Sequence, residues 1–149
     1  MKSGEGGIAL KLDWEEYTNT VRQAAAEGCV LLKNDAEVLP LKSGEKIAVF
    51  GRIQRHYYKS GTGSGGMVNV SRVVGILDAL LEEPSLCIDK ELLGVYDRWE
   101  ESNPFDEGLG WANEPWSQVE MPVGDELVKA AGQRNDTALI LIGRTAGED

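Results

Sequence analysis

A chain of 149 residues, with 42% hydrophobic positions and a charged fraction of 27%, is sized for one folded domain with a sizeable core. Its 15 Lys and Arg against 25 Asp and Glu leave a net charge of −10, a surface that nucleic acid and anionic membranes would repel. No run approaches the roughly 18 apolar residues that span a bilayer. Residues 1–7 are followed by no apolar core of a signal peptide, so the expected compartment is the cytoplasm. Cys29 and Cys87 each stand among aliphatic residues and are expected as two buried free thiols rather than a disulfide.

Residues 1–12 form a lead-in, expected to be flexible, and 13–149 a single α/β domain. Asp13 with Glu16 three residues on makes a capping box, and Tyr17, Val21, Ala24 and Ala25 recur at helical spacing up to a stop at Gly28. Cys29-Val30-Leu31-Leu32 is expected as a short buried strand, with a turn over Lys33-Asn34-Asp35. Val38-Leu39-Pro40-Leu41 is extended, because a residue before proline avoids the helical region. Ile47-Ala48-Val49-Phe50-Gly51 is apolar without alternation, as in a parallel strand covered on both faces.

A long loop over 52–66 follows, and Ser71 is placed to cap a helix carrying Val73, Val74, Leu77, Leu80 and Leu81. A strand at 86–88 and a helix over about 90–101 come next. Residues 103–122, with Trp111 and Trp116, show little periodicity; a loop of this length is functional or packs against something further. A helix over 125–134 leads into Thr137-Ala138-Leu139-Ile140-Leu141-Ile142-Gly143, the strongest buried-strand pattern in the chain. The alternation predicts a mainly parallel sheet flanked by helices, a three-layer α/β/α sandwich, with ligands beyond the carboxyl ends of its strands.

Two loops fall at those ends. Gly61-Thr62-Gly63-Ser64-Gly65-Gly66 formally matches the dinucleotide fingerprint, but about ten residues separate it from the preceding strand, and the helix begins only near Ser71. The loop could instead pass close to a ligand or another domain, with Tyr57, Tyr58, Ser60 and Ser64 offering hydroxyls and an aromatic face for a sugar, or it could simply be solvated. The second loop carries Glu148, in a position from which a carboxyl can face a cleft. Glycoside hydrolysis needs two such carboxyls, one of them protonated. His56, the single histidine, lacks partners for a base or metal ligand, and no metal or cofactor is expected.

Three segments together resemble glycoside hydrolase family 3, the β-glucosidases and related exo-acting enzymes. They are residues 24–34 with 38–41 and 46–51, the glycine-rich run at 57–66, and 138–144 with Ala146-Gly147-Glu148. The resemblance spans 14–149 and is poor over 86–122. It implies the C-terminal-type α/β domain of a retaining β-glycosidase acting on a β-linked glucoside or oligosaccharide. In that family a (β/α)8-like barrel supplies the aspartate nucleophile, while this domain supplies the acid/base, here Glu148. Tyr58, Ser60, Gly61, Thr62, Gly63 and Ser64 would line the sugar site, and Trp111 and Trp116 would pack or stack on sugar. Asp149 stands where many members have glycine, and no nucleophile motif is present. The domain is expected to be cut short after its acid/base loop and inactive alone. Met1 close ahead of the first block leads us to expect a member with inverted domain order, an excised piece being the alternative. The rival class is a non-catalytic nucleotide- or protein-binding α/β module.

Overall fold

A computed structural model of the chain describes residues 11–57, 72–109 and 113–145. The chain divides into two compact units, residues 1–40 and 41–149.

In the first unit, helix α1 (Trp14–Glu27) starts where the sequence places it. The Asp13 carboxylate accepts hydrogen bonds from the backbone N–H groups of Glu15 and Glu16, satisfying two of the orphan donors of the first turn. Gly28 follows its last turn. A small side-chain clasp comes after it: the Asn34 amide donates to the Leu39 carbonyl at 2.6 Å and accepts from the Leu39 N–H at 3.2 Å. The expected strand at Cys29–Leu32 does not form. Its residues are exposed, Leu32 at 91%, and no ladder includes them among the described residues. An apolar run becomes a strand only when a neighbour supplies the ladder, because β-propensity is mostly a preference for such a packed surface.

The second unit is built on a three-stranded parallel sheet of order β2-β1-β3, with β1 (Lys46–Phe50) central, β2 (Cys87–Ile88) on one side and β3 (Thr137–Ile140) on the other. The lack of alternation in β1 is explained by burial on both faces. Ile47 and Val49 pack with Leu77, Leu93 and Leu141, while Ala48 packs with Leu92, Tyr96, Met121 and Ala131. Helix α2 (Ile76–Glu82) covers the first face through Leu77. Helix α4 (Asp125–Arg134) covers the second through Ala131, and α3 (Lys90–Glu100) contributes to both clusters. The expected layered α/β arrangement is the one observed.

Two details differ from expectation. Helix α2 begins at Ile76 behind Gly75, whose N–H donates to the Asp78 carboxylate at 2.9 Å; Val73 and Val74 precede the helix, and Ser71 lies outside the described residues. Neither cysteine is buried: Cys29 follows α1 in an exposed segment, and Cys87 turns outward from a two-residue edge strand. Both thiols are free.

Candidate functional site at the carboxyl edge of the sheet

Because the strands are parallel, β1 and β3 deliver the chain to the same edge, where crevices in such sheets bind ligands. The two exits are in close contact. Gly51 has φ of 99°, and a Cβ built on it would lie 2.0 Å from the Leu141 carbonyl oxygen, so no other residue fits there without moving the backbone. Gly143 lies against Ile53, whose side chain a Cβ would meet at 2.8 Å. The Gly51 N–H donates to the Tyr96 hydroxyl at 2.8 Å. Burial pushes the Tyr96 phenol up, so it stays protonated and can accept from Gly51 as a neutral group.

A short 3-10 helix, Arg52–Gln54, follows Gly51. Arg52 is only 2% exposed. Its guanidinium donates to the carbonyls of Val119 (2.9 Å) and Asn103 (2.7 Å) and lies over the rings of Trp99 and Phe105. Its backbone N–H donates to Glu120 at 3.0 Å. A buried cation is thus used to fasten the loop after α3 to the exit of β1. On the other strand Thr145, 7% exposed, donates its hydroxyl to the Pro115 carbonyl (3.0 Å) and its N–H to that of Trp116 (3.1 Å). The Trp116 ring itself is 68% exposed.

A cleft of about 350 Å³ opens here, lined by Ile53, Tyr57, Ile76, Ile142, Gly143 and Arg144 among others. Tyr57 also sits against Gly75, where a Cβ would come within 2.9 Å of its own, so the chain on either side of 58–71 meets at one point beside the cleft. The expected sugar-site residues Tyr58, Ser60, Gly61, Thr62, Gly63 and Ser64, the acid/base Glu148 and Trp111 all lie outside the described residues. Their neighbours do not: Tyr57, adjoining the glycine run, and Arg144, four residues before Glu148, line the same cleft. His56 stacks on Phe105 at 4.5 Å with its Nε2 3.3 Å from Glu100, an arrangement that fixes the loop rather than presenting a base. No group of three His, Cys, Asp or Glu side chains gathers as a metal site among the described residues.

The Glycosyl hydrolase family 3 C-terminal domain profile matches residues 29–149. The chain belongs to this family. It is 51% identical over 140 residues to a β-glucosidase of Ruminococcus albus, covering 94% of this chain and 15% of that protein. A β-glucosidase structure from Paenibacillus barengoltzii is 50% identical, with a TM-score of 0.82 over 93% of this chain and 15% of that one. β-Glucosidase 3B of Thermotoga neapolitana in complex with α-D-glucose is 33% identical, with a TM-score of 0.76, over 93% and 19% of the two chains. This family 3 C-terminal domain chain therefore spans a small part of the length of the relatives it matches.

Arg52, Tyr96 and Thr145, which assemble the edge, were not among the residues expected from sequence. No local pattern separates them from an ordinary arginine, tyrosine or threonine.

Proposed function

We propose that this chain works as the non-barrel part of a retaining, exo-acting β-glucosidase and contributes the acid/base carboxyl, Glu148. The observation that carries this reading is the shared cleft, where the neighbours of the glycine run and of the Glu148 segment meet at the ligand-binding edge of a parallel sheet. The family membership and the glucose complex of the Thermotoga protein support a β-linked glucoside as substrate.

In the first half of the reaction, an aspartate of a (β/α)8-like barrel attacks the anomeric carbon and forms a glycosyl ester. The departing oxygen takes the Glu148 proton and leaves as an alcohol. In the second half a water molecule gives its proton to the Glu148 carboxylate as its oxygen displaces the ester, which restores both carboxyls and releases the sugar. One water is consumed. The nucleophile lies outside these 149 residues, so the chain alone is inactive. Exposed apolar side chains on this unit, such as Ile140 and Ile142 (75% exposed), support a further covering surface in the longer enzyme.

The test is Glu148→Ala in the complete enzyme, assayed on glucosides graded by leaving-group acidity. The reading expects turnover of poor leaving groups to fall by about 10²-fold or more. Activated aryl glucosides should form the glycosyl ester normally, and azide should then accelerate its breakdown. Equal loss on all substrates without azide rescue overturns it, as does hydrolysis by the 149 residues alone.

A further inference from the structure

The loop over 113–120 is held from two sides at the carboxyl edge. Arg52, at the exit of β1, grips it through the Val119 carbonyl and receives Glu120 on its backbone N–H. Thr145, at the exit of β3, grips it through the carbonyls of Pro115 and Trp116. The loop is therefore a strap between the two strand exits. Pro115 has no N–H, so its carbonyl is its only backbone hydrogen-bonding group, and the buried Thr145 hydroxyl spends its one proton on it. The β-branch of Thr145 restricts its rotamer, which favours a fixed contact over an adaptable one.

Thr145 stands three residues before Glu148 in the chain. We infer that Thr145 is a positioning residue for the acid/base carboxyl, fixing through Pro115 and Trp116 the point from which the Glu148 segment departs. The inference rests on the reading of Glu148 above and adds the strap to it. A general acid works only within hydrogen-bond reach of the leaving oxygen, and small misplacement is costly. Thr145 itself does not touch the reacting atoms in this scheme.

The experiment uses the complete enzyme with Thr145→Val, which keeps the shape but removes the hydroxyl donor, and Thr145→Ser, which keeps the donor. With Thr145→Val, kcat/KM for alkyl and weakly acidic aryl glucosides should fall about ten-fold, the size of one lost hydrogen bond. That for 2,4-dinitrophenyl glucoside, which needs no proton, should change less than about two-fold. The basic limb of the pH profile should move, and Thr145→Ser should restore most of the loss. A uniform loss on all substrates with an unmoved pH profile, or wild-type behaviour on poor leaving groups, overturns the inference. The two readings fail separately. If Glu148→Ala leaves the leaving-group dependence unchanged, the acid/base assignment falls. If Glu148→Ala steepens that dependence and Thr145→Val does not, only the strap falls.

Discussion

The two edges of the sheet are held by different chemistry. At the amino edge the fastening is done by carboxylates. Asp89 caps α3 through the N–H groups of Glu91 and Leu92 and receives Arg134 and Asn135 on its other oxygen. Asp136 accepts from the Lys46 N–H, and Glu45 accepts from the Lys42 N–H and the Thr137 hydroxyl. At the carboxyl edge, among the described residues, Glu120 accepts from the Arg52 N–H, Arg55 pairs with Asp97 at 2.6 Å and His56 meets Glu100, but the strand exits themselves are joined by close backbone contact, the Tyr96 phenol, the Thr145 hydroxyl and the Arg52 guanidinium. The strand exits beside the cleft are thus joined largely by close backbone contact and by hydroxyl and guanidinium donors.

The sharpest way to break the carboxyl edge is Gly51→Ala. The new Cβ would collide with the Leu141 carbonyl and require a positive φ that alanine resists. Strain and overpacking together should cost about 3–5 kcal/mol, read as a loss of urea midpoint. Near-wild-type stability would show that β1 and β3 leave the sheet with more freedom than this contact allows.

Next in size is Arg52→Lys. A single ammonium cannot reproduce the fork that reaches Val119 and Asn103 while its face covers Trp99 and Phe105. One of these part-buried carbonyls loses its donor and the ring contacts weaken, at a cost of about 1–2 kcal/mol by urea unfolding. An unchanged midpoint would mean that the charge alone, not the fork, fastens the loop.

How much of this was legible beforehand follows from the range of each contact. Helix α4 lies at 125–134 as its periodicity indicates, and β1 is buried on both faces as its unbroken apolar run implies. These are local signals. Cys29–Leu32 carries the same kind of run and forms no strand, because whether a ladder partner arrives is not written in four residues. The frame of the candidate site is more remote still: Tyr96 meets Gly51 across 45 positions, Arg52 meets Val119 across 67, and Thr145 meets Pro115 across 30. Glu148 and the glycine run were singled out from their position and from the family resemblance and lie outside the described residues, whereas Arg52 and Thr145 act on backbone carbonyls that any residue would present.

The smallest expected effect tests the amino edge through pH. Burial of the Asp89 side chain, 4% exposed, pushes its carboxyl up, but the Leu92 N–H, Asn135 and Arg134 together outweigh it and hold it below the usual carboxylate range. The Glu45 carboxyl is also held low, by the Lys42 N–H and then the Thr137 hydroxyl. Groups whose folded pKa is depressed bind fewer protons in the folded state than in the unfolded one. Their stabilisation is therefore complete above the ordinary carboxylate pKa, about 4, and is lost as pH falls through the lower folded value. Unfolding free energy should decline below about pH 4, with a shallower decline in Asp89→Asn, whose amide cannot titrate. Asparagine caps a helix about as well as aspartate, so the variant's offset at pH 7, about 1 kcal/mol, comes from the weakened acceptor for Arg134 and Asn135, and it is the slope, not the offset, that reports the titration. If Asp89→Asn declines as steeply as wild type, the acid sensitivity lies elsewhere, and the contrast between a titrating edge and a steric one loses its strongest carboxylate.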